Sequence, residues 1–246
     1  MRPRQRTAAL LSALVVLALA VSASVASAYT PIPFEWKVKG AALKEGASKE
    51  ITLSTKGLFH LNLHRYGSEI SLTSNKVKLL SGKITGGKPG KISGKLVFEG
   101  VTVTRPKEGC VEEEVFSGQR GVIETAPMTG EIVEIPQLEE KAHVGLSLES
   151  SYWPEFHIVA ANGGKEECSW EPSLTYFNPR GGMVLEVSPQ EKEAIVEGLH
   201  FSSPSGYRNS KGEGKTAALE SPPGLGPTLT GEAEAELVSK ELFGAF

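Results

Sequence analysis

From residue 34 onward apolar and polar residues alternate with a period of two. Phe34, Trp36 and Val38 alternate with Glu35, Lys37 and Lys39, and Phe59, Leu61 and Leu63 alternate with His60, Asn62 and His64. Val111 and Val115 stand opposite Glu112 and Glu114, and Ala142, Val144, Leu146 and Leu148 opposite His143, Gly145, Ser147 and Glu149. Successive side chains of a strand point to opposite faces, so each run predicts a strand with one buried and one wet face. That pattern belongs to antiparallel sheets, because strands covered on both faces read as unbroken apolar runs.

Turn residues cut these runs at short intervals. Lys56-Gly57, Gly67-Ser68, Ser74-Asn75, Gly86-Gly87-Lys88-Pro89-Gly90, Ser117-Gly118, Asn162-Gly163-Gly164 and Asn178-Pro179-Arg180-Gly181-Gly182 supply positive φ or the fixed φ of proline. The cadence predicts roughly 14 short strands in a sandwich or a barrel-like arrangement, with little helix. Two places admit a short helix: Pro189 to Glu197, and Glu232 to Phe243. In the second, Ala233, Ala235 and Leu237 alternate with glutamates, which favours strand. Ser81-Gly82-Lys83-Ile84 is echoed by Ser93-Gly94-Lys95-Leu96. With the Gly-Pro turn between them, the two copies read as the arms of one hairpin. Residues 202–227 are rich in Gly, Pro and Ser and predict a flexible segment in which only Thr216 to Leu219 can pair.

The N-terminus is patterned differently. Arg2, Arg4 and Arg6 precede an apolar stretch from Ala8 to Val21, and Ala26-Ser27-Ala28 has the small-x-small form of a cleavage site. Residues 1–28 are therefore expected to be a signal peptide, cleaved after Ala28, leaving 29–246 as a single exported all-β domain. No later stretch has the apolar length of a membrane-spanning helix. The terminal Phe246 invites comparison with outer-membrane barrels, but 7% aromatic content is too sparse for their aromatic girdles. In an exported protein the two cysteines, Cys110 and Cys168, read most simply as one disulfide, worth about 4 kcal/mol on a chain-entropy basis. Two buried free thiols are the alternative.

Charge and composition then remove chemistries. The net charge is −3, and loss of the three N-terminal arginines makes it more negative, which disfavours nucleic acid as a partner. All 29 acidic residues are Glu; the chain contains no Asp. EF-hand loops, aspartic-protease dyads and Ser-His-Asp triads are thereby excluded. No Gly-x-Ser-x-Gly, Ser-x-x-Lys or His-Glu-x-x-His motif occurs. His60 and His64 would pair on a helix, but on a strand they stand about 13 Å apart, too far to share a metal ion. The reading contains no metal, no cofactor and no catalytic residue. Gly86 to Lys91 has the flavour of a phosphate loop without its spacing, and reads as a hairpin turn.

Three constellations remain. Glu112 and Glu114 share a strand face and are the pair a glycoside hydrolase could use as acid and base, or else a charged face that guards an edge. Lys76, Lys78, Lys83, Lys88, Lys91 and Lys95 lie in a stretch free of acids, either a basic docking face or solvated lysines on strand faces. Tyr152, Trp153, Trp170 and Tyr176 crowd around Cys168 with Phe156 and Phe177. They are candidates to stack on a flat ligand such as a sugar, or are core packed around the disulfide.

The stretch from Gly90-Lys91-Ile92-Ser93-Gly94-Lys95 through Glu99-Gly100-Val101-Thr102-Val103, with Pro106, Cys110, Gly121-Val122-Ile123-Glu124-Thr125 and Thr129-Gly130-Glu131-Ile132-Val133, resembles uncharacterised secreted Gly-rich β proteins of high-GC soil actinobacteria. Those proteins tend to carry Cys where Val101 stands, which implies a different disulfide scheme here. The resemblance brings no activity with it. The expectation is an exported, non-enzymatic envelope or extracellular binding or structural protein, with a cell-envelope polysaccharide or another extracellular polymer as the partner class. The alternative is a secreted hydrolase acting on polysaccharide through Glu.

Overall fold

The computed structural model describes residues 34–65, 68–105, 110–114, 117–135, 143–150, 156–160, 168, 180–187, 196–202, 205–209, 211, 213–217, 219–220 and 227–245. They are all-β, in antiparallel sheets, with no helix. In chain order the strands are β1 (Trp36–Val38), β2 (Ala41–Ala42), β3 (Ser48–Thr55), β4 (Phe59–Arg65), β5 (Ser68–Ser74), β6 (Lys76–Thr85), β7 (Lys91–Glu99), β8 (Thr102–Arg105), β9 (Cys110–Glu114) and β10 (Val122–Glu124). There follow β11 (Met128–Ile135), β12 (His143–Ser150), β13 (Phe156–Ala160), β14 (Arg180–Val187), β15 (Val196–Ser202), β16 (Ser205–Arg208), β17 (Gly214–Ala217), β18 (Leu219–Glu220), β19 (Thr228–Leu237) and β20 (Phe243–Ala245).

The large sheet runs β10-β7-β6-β3-β19-β15-β14-β12-β11-β16-β17, and β7 also pairs with β11. A branch leaves it at β19, which passes to β4, then β5, then β8. This is the sandwich-like architecture that the alternation predicted. The β4-β5-β8 layer packs its inner face on β7 and β10: Phe59 meets Phe98 edge-on at 5.7 Å. Leu61, Leu72, Leu229, Val101 and Ile123 close around them. Burying side chains of this size contributes about 1.5–3 kcal/mol each, so this seam is a principal source of cohesion.

Strand β19 joins the two layers. Its residues Thr228, Leu229 and Thr230 pair with β4, while Ala233 to Leu237 pair with β3. The change of partner falls at Gly231, where an added Cβ would lie 2.5–2.8 Å from the Phe59 ring. Only a residue without a Cβ lets the strand cross so close to that ring. The strand reading of this stretch holds, with Ala233, Ala235 and Leu237 all buried.

At one end β1 pairs with β2 and β20. Phe34 and Trp36 are buried there as the period-two pattern requires. Trp36 packs against Phe243 and donates its Nε1–H to the Lys91 carbonyl at 2.8 Å. The repeated Ser-Gly-Lys segments form a hairpin, Lys83 opposite Ser93 and Ile84 opposite Ile92, and the Gly86 to Gly90 segment is its turn.

Two segments depart from expectation. Within 202–227 pairing extends beyond Thr216 to Leu219, because β16 joins β11 and β17, and β18 joins β14. Tyr207 of β16 is buried with Val133 and Ile135 on the side of β11 opposite Ile132. The Asn209 side chain then closes the turn, accepting from the N–H groups of Lys211 and Glu213. In β12 both Ser147 and Leu148 are buried, so that strand is covered on both faces although its sequence alternates. Of the proposed helix at Pro189 to Glu197, Val196 and Glu197 belong to β15 and the rest lies outside the described residues.

Candidate functional site

Cys110 and Cys168 are joined by a disulfide, as their number and the expected compartment suggested, and both are buried. The bond anchors β9, which pairs with β13 and sets Glu112 opposite Ile158. Side chains of one strand alternate, so a buried Cys110 turns Glu112 to the same interior side. Glu112 is 0% exposed. One carboxylate oxygen accepts the N–H of Gly121 at 2.8 Å and the other that of Val122 at 3.2 Å. Gly121 has φ +71°, a conformation that turns its N–H toward the carboxylate and favours glycine. Burial pushes the Glu112 carboxyl up to about 8, against the pull of the two N–H donors.

This overturns the reading of Glu112 as part of a wet face. Outward instead lie Val111 and Glu113, both half-buried, with Glu113 bonded to Arg120 at 2.6 Å. Three glutamates in a row look solvent-bound, and only the parity set by the half-cystine two residues earlier signals that one points inward. A carboxyl shut from solvent and bound to two backbone donors holds a bend; it has no access to a substrate.

The basic face also dissolves on folding. Acids from neighbouring strands meet the lysines: Lys76 and Lys78 both bind Glu99, at 2.8 and 2.6 Å, Lys95 binds Glu124, and Lys88 reaches Glu35 at 3.4 Å. Lys83 stands opposite Glu50 and Lys91 opposite Glu131 in register. Hydrogen bonds from Lys76 and then Lys78 hold the Glu99 carboxyl below its ordinary range. The stretch is free of acids in sequence and interleaved with them in space.

Tyr152, Trp153, Trp170, Tyr176 and Phe177 lie outside the described residues. Phe156 is fully buried. Among the described residues no three His, Cys, Asp or Glu side chains converge to hold a metal ion.

A surface that no single stretch of sequence announces is assembled on the outside of the branch layer. Cross-strand register aligns Thr230, His60, Thr73 and Thr102 in one row. A second row holds Thr228, Asn62 and Ser71, with Thr104 beside them on β8. The residues between the rows, Leu229, Leu61, Leu72 and Val103, point inward and are buried. Thr73 and Thr102 share a hydrogen bond at 2.8 Å, the Ser71 hydroxyl donates to Asn62 Oδ1 at 2.7 Å, and Thr104 donates to the Ser71 carbonyl. The first row carries no Lys, Arg or Glu, the second ends on β8 at Arg105, which stands opposite Ser71 in register, and Glu232 follows Thr230 along β19. The cavity beneath this layer is apolar and only about 20 Å³, room for one water and far below the size of a ligand pocket.

The chain matches no protein-family model, no curated protein and no solved structure.

Proposed function

We propose that the protein is an exported, non-enzymatic binding or structural protein of the cell envelope or extracellular space. Export rests on the signal-peptide pattern of residues 1–28; the disulfide is compatible with it, and no described helix is long and apolar enough to cross a membrane. The observation that carries the non-enzymatic reading is the burial of Glu112. Glu112 and Glu114 were the carboxylate pair the sequence offered for acid–base work, and Glu112 is engaged as a backbone acceptor in the interior. The partner class is an extracellular polymer such as an envelope polysaccharide, which an extended polar face suits better than a deep pocket does.

Two measurements test this. The mass of protein recovered from the culture medium or envelope should correspond to a chain starting at Tyr29; retention of residues 1–28 in the cytosol would remove the export reading. Incubation with insoluble cell-wall polysaccharides should release no reducing sugar. Release that disappears in Glu114→Gln would replace the binding reading with the hydrolase one.

A further inference from the structure

Strands β9 and β13 stand apart from the rest of the backbone network. Among the described residues they form a sheet of two, with no ladder to any other strand. Their inner face nonetheless belongs to the main core, where Cys110, Phe156, Ile158 and Ala160 are all buried. Apolar contact has no direction, so polar ties decide where such a pair sits. Two of them come from adjacent residues of β9. Glu113, on the outer face, bridges to Arg120, and Glu112, on the inner face, accepts the N–H groups of Gly121 and Val122. We propose that Glu112 is a pH-sensitive latch, which holds the β9–β13 pair on the Gly121 bend while protonated and frees it to open when ionised.

The bend is the fixed side of this contact. The Gly121 carbonyl accepts the Val101 N–H at 2.9 Å, and β10, which begins at Val122, pairs with β7. When the latch parts, the bend stays with the large sheet and the β9–β13 pair is what moves. The disulfide keeps β9 tied to Cys168, so the opening is local. A two-stranded ladder lifted off its core is marginal, so its own backbone bonds loosen in the opened state.

Charge sets the direction. A carboxylate shut from solvent is costly unless a cation lies against it, and among the described residues none pairs with Glu112. The charged and titratable groups on the elements packed around it are Glu113 and Glu114 of β9, His157 of β13, Arg120 of the bend, Glu124 of β10 and Arg105 of β8. Arg120 is engaged by Glu113 and Glu124 by Lys95, while in register Ile158 stands opposite Glu112, and His157 opposite Glu113. The closed site therefore suits the neutral acid, and burial lifts the carboxyl from 4.5 to about 8 in spite of the two N–H donors. Once opened, the carboxyl meets water and returns to its ordinary range. Opening then releases one proton, and its equilibrium constant grows tenfold per pH unit between those values, about a thousandfold in all, and levels off above them.

Amide hydrogen exchange of the disulfide-intact mature protein, followed by NMR from pH 5 to 9 and corrected for the intrinsic base-catalysed rate, tests this. Protection of the Gly121 and Val122 amides, and of those in β9 and β13, should fall about tenfold per pH unit until about pH 8 and then level off. Amides of the β6–β7 hairpin should stay at least about tenfold better protected throughout, because the opening does not reach them. In Glu112→Gln, which is neutral at every pH, the protection of Gly121 and Val122 should not change with pH. Arg120→Met and His157→Gln should keep the parent's slope. A flat profile in the parent, a slope that survives in Glu112→Gln, or one lost in Arg120→Met or His157→Gln would overturn the latch. Equal protection of β9 and β6 would do so as well, since the opening would then be global. Should Glu112→Gln fail to fold, the parent's Gly121 and Val122 amide proton shifts decide: a titration with its midpoint near pH 8 supports the latch, and shifts unmoved from pH 5 to 9 reject it.

Discussion

The ten residues of β19 contain both surfaces. Thr228-Leu229-Thr230 presents hydroxyls outward over the β4 layer; after Gly231, Glu232, Glu234 and Glu236 present carboxylates over the β3 side. The inward residues are apolar throughout, so both halves contribute to one core. The outward residue type changes at the glycine where the strand changes partner. Ion pairs on one layer match strands to neighbours of opposite charge, with Lys56 of the β3–β4 turn meeting Glu234 and Lys95 meeting Glu124. On the other layer, short hydroxyl and amide bonds fix positions without charge. Cross-strand pairs of either kind contribute about 0.2–1 kcal/mol each, so the difference concerns what the surface can recognise more than how stably it is held.

The comparison can be broken most directly at Gly231. In Gly231→Val the new side chain meets the Phe59 ring, and overpacking of this kind costs about 1–3 kcal/mol. Urea denaturation should show that loss, and hydrogen exchange should show the β4-β5-β8 layer opening before the β3-β6-β7 layer. Equal loss of protection in both layers would mean that they are not separable at the crossing.

Glu112 sits outside both surfaces and sharpens them by contrast. Glu112→Ala leaves the Gly121 and Val122 N–H groups without an acceptor, at about 1–3 kcal/mol. The pH dependence has a definite sign. Its ordinary value is 4.5, which applies unfolded, and in the fold burial raises it to about 8. Between those values the folded state holds a proton that the unfolded state has released, so this residue makes stability fall as pH rises through that window, and level off above it. Glu112→Gln, neutral throughout, should show a flatter urea midpoint between pH 5 and 8. An unchanged slope would show that other groups set it.

The smallest effect is expected in the ion-paired ladder. Glu99→Gln unties Lys76 and Lys78 on an exposed surface, where salt screens such pairs. The melting temperature should drop slightly in low salt, and the difference should close as salt is added. A drop that persists in high salt would show that the side-chain hydrogen bonds to Glu99, and not screened charge alone, carry the effect.

How much of this was legible along the chain follows from the range of each interaction. Phe34 with Trp36, Phe59 with Leu61, and Ala233 with Ala235 and Leu237 could be assigned to the interior because period-two alternation is a local property. The β6–β7 hairpin was legible for the same reason, since its arms flank their own turn. The ion-paired ladder was not. Lys95 meets Glu124 of β10 and Lys83 stands opposite Glu50 of β3, partners from outside that hairpin, and a run of lysines without acids looks basic until such a partner is known. For Glu112, polarity suggested the outside, while the packing of Cys110 and the need of the Gly121 bend for an acceptor put it inside.

By itself, then, the sequence determined an antiparallel all-β chain, with inward positions set by alternation and one cross-link available between two cysteines, because these follow from the geometry of a strand and the count of residues. Tertiary structure alone decided which strands stand side by side. That adjacency neutralised the lysines, buried Glu112 and aligned Thr230, His60, Thr73 and Thr102 from four separate segments into one row, since β pairing is made between residues far apart in the chain and its register is fixed only when the core closes.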